Sequence, residues 1–349
     1  MKKYILYSLL ITSLFSCTKT LDFDDEQLAD LLVLNSIVWP DSVFKASFIK
    51  SSSILEGGSE PGQAVTNGTL DIYENDQLLA HLTSSTGGFR ADGLKPKAGY
   101  RYRMVATGNG QQITAETTVP LKAEVLSVDT SIVKNPGNYL GITFNIRIKD
   151  TPGDDYYRIT LMQNSLSRNT YQENDNKKTI KYNLSNYPTG YYTDDPVFKS
   201  VYNNSGEEIF DMGPENRYYI FTDDFFEGKE RTIQVRKDHF YNSYDPSNPY
   251  IYGNQERIYD RFTIHVQRLS KDLFNYLKYL ELYDFYHDNP ISEPVPVYSN
   301  IKNGAGIFAG FNDEARFTFE NIYIPFSMDT IKIEQDPYYG GGGYGYGSN

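Results

Sequence analysis

Two adjacent carboxylate pairs, Asp194–Asp195 and Asp223–Asp224, are the residues of this chain best suited to chemistry. Carboxylates serve as general acids and bases, and as oxygen ligands for hard cations. Neighbours on a strand point to opposite faces, so neither pair makes an acid–base dyad by itself. Both pairs fit turns, with contact to a cation or a ligand as the functional alternative. A glycosidase-type dyad needs no proximity in sequence, and could be drawn from any of the 45 Asp and Glu. The four histidines, His81, His239, His265 and His287, share no metal-ligand spacing, and a Gly-x-Ser-x-Gly elbow is absent. Gly304-Ala305-Gly306-Ile307-Phe308-Ala309 matches the letters of a dinucleotide fingerprint. That fingerprint works only where a helix N-terminus meets the phosphates, and residues 311 to 319 carry no helical period. A tight turn between two strands is the expectation there. Tyr241, Tyr244, Tyr250, Tyr252 and Tyr259 lie in a second kind of candidate site, a loop rich in Asn and Pro. Aromatic faces beside amides stack on sugars or peptides, dock on proteins, or simply pack over a sheet. The inventory points to a protein that binds rather than catalyses, with no cofactor and no resident metal.

The single cysteine says how the chain is held. Lys2 and Lys3 precede an apolar run from Tyr4 to Phe15, which is signal-peptide length and too short to span a bilayer as a helix. Leu14-Phe15-Ser16-Cys17 then resembles a bacterial lipobox, with Phe15 bulkier than usual for its place. A lone cysteine in an exported chain has no internal disulfide partner. Its position selects lipidation, and stable anchoring takes two or more acyl chains. Residues 1–16 are thus expected to be removed, and residues 17–30 to form a tether. Asp22, Asp24, Asp25 and Glu26 make that tether acidic, as in lipoproteins exported to the outer cell surface, and also as in any solvated linker.

Composition narrows the partners. Net charge is −12 and no basic patch stands out, which argues against nucleic acid. The chain of 349 residues is long enough for two domains. Its 31 Tyr and 20 Phe favour half-buried strands and binding surfaces.

The elements that must position these residues are mostly strands. Short apolar runs at 32–38, 44–49, 69–74, 78–82, 100–105 and 112–119 are punctuated by turns at Asn75-Asp76 and Gly108-Asn109-Gly110. They predict an immunoglobulin- or fibronectin-like β-sandwich over residues 31–121. A larger β-rich domain follows over 122–335, with alternating strands at 141–148, 156–161, 231–235 and 262–268. Residues 163 to 218 are polar and read as a long loop. One helix is predicted from Ser270 to about His287, capped by Ser270 and striped by Leu273, Leu277 and Leu280. The Gly/Tyr-rich tail 336–349 reads as disordered. The fold class expected is all-β with that one helix.

Several segments, in order along the chain, resemble a Bacteroidetes lipoprotein family known as domain of unknown function 4249. They are Ala115 to Pro120, Asp194-Asp195-Pro196-Val197, Phe221 to Lys229, the Tyr/Leu-rich helix, Ser292 to Val295, Tyr298 to Ile301, and Gly304 to Gly310. The resemblance implies an outer-membrane, surface-displayed lipoprotein, often encoded beside TonB-dependent transporters and acting as their soluble partner in nutrient uptake. It carries no catalytic or binding residues with it. A structural or adhesion lipoprotein and a surface hydrolase remain as alternatives.

Overall fold

Polar–apolar alternation dominates the chain, and the computed structural model turns it into seventeen described strands and two helices. It describes residues 31–51, 62–84, 86–134, 140–173, 177–202, 214–240, 255–287, 295–322 and 333–335. Cys17, the acidic tether, the tail and the tyrosines at 241, 244, 250 and 252 lie outside the described residues.

The N-terminal strands are β1 (Leu32–Val38), β2 (Phe44–Lys50), β3 (Gln63–Ala64), β4 (Thr69–Glu74), β5 (Gln77–Thr83), β6 (Gly88–Ala91), β7 (Arg101–Gly108) and β8 (Gln111–Thr118). Strands β4, β5, β7 and β8 form one antiparallel sheet in the order β5-β4-β7-β8. Two-residue turns connect its hairpins. Asn75 and Asp76 sit at φ 47° and 68°, Asn109 and Gly110 at 51° and 77°. This left-handed pair of residues matches the right-handed twist of the flanking strands, which is why Asn, Asp and Gly occupy it.

The second half contributes β9 (Glu124–Lys134), β10 (Leu140–Lys149), β11 (Tyr156–Glu173), β12 (Lys177–Thr189), a one-turn helix α1 (Pro196–Lys199), β13 (Ile220–Thr222), β14 (Glu230–Phe240), β15 (Gln255–Leu269), helix α2 (Lys271–Tyr286), β16 (Ala305–Ile322) and β17 (Ile333–Gln335). Strands β14, β10 and β9 make a three-stranded sheet. The largest sheet has ten strands, with the path β17-β12-β11-β15-β16-β1-β2-β3 and with β13 and β6 beside it. Helix α2 begins as the sequence predicts. The Ser270 hydroxyl accepts from the Leu273 N–H, Asp272 lies in the first turn, and Leu273, Phe274 and Leu277 are buried.

The ten-stranded sheet crosses position 121/122. Strand β16 lies parallel to β1, pairing Val33 to Val38 with Ala305 to Gly310. Side chains alternate across a strand, and here each face of the pair has its own core. Leu34, Val38 and Phe308 join one cluster with Leu70, Ile72, Tyr102 and Ile113 from the four-stranded sheet. Ile307, Ala309 and Phe311 join the other, with Ile142, Phe144, Ile146 and Val235 from the three-stranded sheet and Leu277 from α2. Trp39, the only tryptophan, stacks on Phe311 at 5.2 Å between ring centroids.

Two sequence expectations are corrected. The 304–310 segment is mostly strand, with turn geometry only up to Gly304. Its glycines answer close approach. A Cβ on Gly304 would lie 2.6 Å from the Leu32 carbonyl oxygen, and one on Gly306, at φ +106°, would strike the Leu34 carbonyl. The polar stretch after residue 163 is largely a long hairpin of β11 and β12, paired from Leu161↔Thr189 to Glu173↔Lys177. Its main-chain ladder needs no apolar period; Leu161 ties its base to the larger core, and Leu166, Ile258 and Tyr259 form a small cluster further along it.

Gly306→Ala is expected to cost about 3 kcal/mol or more, from backbone strain plus the clash with β1. Urea denaturation followed by Trp39 fluorescence checks it, and an unchanged midpoint would show that β1 and β16 are not held as closely as described.

Candidate functional site

Three buried carboxylates converge where β10 leaves its sheet. Asp150, Asp155 and Asp223 each place an oxygen within 4.8 Å of the others. Asp150 directly follows β10, Asp155 leads into β11, and Asp223 opens the turn after β13. The Tyr157 hydroxyl donates to Asp150 Oδ1 at 2.6 Å, and the Gly228 N–H donates to Oδ2 at 2.7 Å. Arg268 Nε donates to Asp155 Oδ1 at 2.8 Å, and the Thr151 hydroxyl donates to its Oδ2 at 3.1 Å. The Asp155 N–H donates to Asp223 Oδ2 at 3.1 Å. Among the described residues, Arg268 forms its ion pair with Asp155. Burial pushes the Asp155 carboxyl upward against the pull of Arg268. Burial likewise pushes Asp223 up to about 6, with Asp150 and Asp155 adding repulsion. The oxygens suit a hard cation in type, but protein donors already engage all three groups. What the arrangement does chemically is lock two turns and the end of β15 together, with the Asp223 carboxyl pushed up to about 6.

A second feature lies on the outer face of the three-stranded sheet. Apolar residues of β10 point inward, so its odd-numbered residues make a polar outer ladder. Thr143 pairs with Arg236 on one side and Ser131 on the other, and Asn145 pairs with Gln234 and Asp129. The segment from Tyr192 to Asp195 extends this ladder. The Tyr192 and Arg236 backbones exchange two hydrogen bonds of 2.8 Å, and the Thr193 hydroxyl donates to the Gln234 carbonyl at 2.8 Å. Asp195 caps α1 through the Val197 N–H and pairs with Arg231 at 2.6 Å. Thr143, Gln234, Arg236 and the Tyr192 to Asp195 segment line an open groove of about 550 Å³.

The sequence-predicted acidic pairs are each split. Asp223 is buried in the carboxylate cluster, whereas Asp224 is exposed and accepts from the Thr222 hydroxyl at 2.7 Å. Asp195 is the inward cap, whereas Asp194 is fully exposed with Lys199 3.9 Å away. Neither pair lies on a strand as a dyad. Tyr259, the one described member of the tyrosine set, is buried on β15 beside Leu166 and Ile258 rather than offered to a partner. Sequence reasoning missed Asp150, Asp155 and Arg268. Their signal was slight: Asp150 and Asp155 bracket a Thr-Pro-Gly-Asp turn, where Asp is ordinary. It also missed Tyr192 and Thr143, which are unremarkable until β14 and the 190–195 segment come together.

The chain matches a family model described as a domain of unknown function, DUF4249, over residues 18–316. It belongs to that family. Among solved structures, the BSP domain of a biofilm-associated protein aligns with 82% of this chain at 8% identity and a TM-score of 0.19, a likeness too slight to carry an argument. This chain spans 59% of that one. No curated protein matches the sequence.

The segments that resemble DUF4249 serve here as joints. Asn300 accepts from the Phe308 N–H at 2.9 Å and donates to the Phe308 and Glu116 carbonyls. Tyr298 donates to Asp272 at 2.8 Å, fixing the start of α2. Gly310 binds Ser270 through both its N–H and its carbonyl. The Phe221 to Lys229 segment supplies Asp223, the buried Phe226, and Gly228 to the carboxylate cluster.

Asp223 makes stability depend on pH with a definite sign. An unfolded aspartate titrates near 3.9, so between about pH 4 and pH 6 the folded chain holds a proton that the unfolded chain releases. The stabilisation is complete below about pH 4 and is lost as pH rises through about 6. Asp223→Asn mimics the protonated acid. The wild type is therefore expected to lose more than about 1 kcal/mol relative to Asp223→Asn between pH 4 and pH 7. Urea melts of both proteins across that range check it; a constant gap would mean that Asp223 does not hold the proton.

Proposed function

We propose that this chain is an outer-membrane lipoprotein, held by acylated Cys17 and displayed on the cell surface. In this reading its folded body is the non-enzymatic binding partner of a TonB-dependent transporter in nutrient uptake. The observation that carries the reading is where the family match begins: residue 18, directly after Cys17. The shared unit starts where a lipidated mature chain would start. The next described residues lead straight into β1, so the tether attaches to a central strand of the largest sheet.

The surface supports a partner. On α2, Tyr279, Tyr283 and Phe285 are exposed, with Tyr298 stacked against Tyr279 at 6.2 Å between centroids. Aromatic residues of this kind are enriched where proteins meet. The carboxylate cluster supports a structural role for these groups, because each already accepts from a protein donor.

Purification of the tagged chain from native outer membranes in gentle detergent tests the proposal. A TonB-dependent barrel is expected to co-purify in near-stoichiometric amount, and Cys17→Ser is expected to leave the membrane fraction. An acylated chain that purifies without a barrel would sink the partnership and turn attention to adhesion.

A further inference from the structure

We infer that the groove on the three-stranded sheet is a binding site for a neutral carbohydrate. The argument starts from Tyr192. The residue is 61% exposed and its ring makes no ring contact among the described residues, while its backbone is fixed through both N–H and carbonyl to Arg236. A rigid, open aromatic face beside a polar floor is the arrangement on which a sugar ring stacks by its C–H face.

The floor supplies the matching hydrogen bonds. Thr143 is 94% buried by residue yet lines the groove, and its hydroxyl has no partner among the described residues. That hydroxyl opens to the groove, where it can donate to or accept from a ligand without breaking a protein contact. Ser131 sits across from it, and the Gln234 amide, tied to Asn145 at 3.0 Å, stands on the next rung. Asp194 projects at the rim, fully exposed with Lys199 3.9 Å away, and so can accept from sugar hydroxyls.

Charge and shape select among ligand classes. Arg236, the one cation among the described lining residues, is paired with Asp238 at 2.9 Å, which weighs against a phosphate or a uronate as the ligand. Val133 is its only aliphatic lining residue, so there is no apolar pocket to take peptide side chains or an acyl chain. A volume near 550 Å³ lies in the range of small-ligand sites and suits one or two sugar rings. The inference stands on the groove alone, and a failed search for a transporter would leave it untouched.

Screening the detergent-solubilised full chain on an array of neutral and anionic oligosaccharides tests it. Retention of neutral hexose oligomers is expected. Tyr192→Ala should weaken it about tenfold, Thr143→Val should weaken it several-fold, and the remote Tyr279→Ala should leave it unchanged. Urea midpoints matching the wild type keep the comparison about binding. The inference is overturned if no neutral glycan is retained, if retention is confined to anionic glycans, or if Tyr192→Ala binds as well as the wild type.

Discussion

Everything in this molecule leans on the parallel pairing of β1 with β16. Two strands some 270 residues apart in sequence lie side by side, and their alternating side chains feed two different cores. A strand buried on both faces tolerates few side-chain shapes. That is why Phe308 and Ile307 are flanked by Gly304, Gly306 and Gly310, which let β1 and β8 approach closely. The pairing also makes the first core depend on the end of the chain, since Ile301 and Phe308 sit in it beside residues 32 to 119. Closing so long a loop costs entropy before any contact compensates it, so the pairing has to be reinforced locally. The side chains of Asn300, Ser270 and Asn312 supply that reinforcement, bonding to the main chain at Phe308, Gly310 and Pro120.

Much of the local structure was legible. The Asn-Asp and Asn-Gly turns encode tight hairpins whatever surrounds them, and the Ser270 cap with its Leu stripe encodes α2. Pairings between distant strands were not legible, because nothing in β1 or β16 taken singly names its neighbour. Gly306 shows the difficulty. Glycine marks both turns and close backbone contact, and only the neighbour decides between them. The β11–β12 hairpin escaped for a different reason. On β11 the buried positions after Leu161 include Gln163, Ser165 and Ser167, so burial there falls on polar residues and leaves no apolar period to read.

The candidate sites follow the same division. Asp223 stood out as half of an acidic pair, but its real companions, Asp150 and Asp155, come from another turn, and Arg268 comes from β15. Asp194 and Asp195 stood out together, yet one caps a helix and the other faces solvent at a groove. The groove's floor, Thr143, and its ring, Tyr192, meet only because the 190–195 segment zips onto the free edge of β14. Chemistry in this chain is assembled by tertiary contacts between common residues, not by short motifs.

The most direct test of the shared-strand architecture is the folding of residues 31–121 alone, followed by amide NMR dispersion and urea denaturation. Without β16, the first core loses Phe308 and Ile301 and one face of the sheet ends at an open β1 edge. The expected result is a poorly dispersed spectrum and no cooperative transition. A well-dispersed spectrum with a sharp unfolding transition would contradict the central role given to β1 and β16, and would make the N-terminal strands a self-sufficient domain.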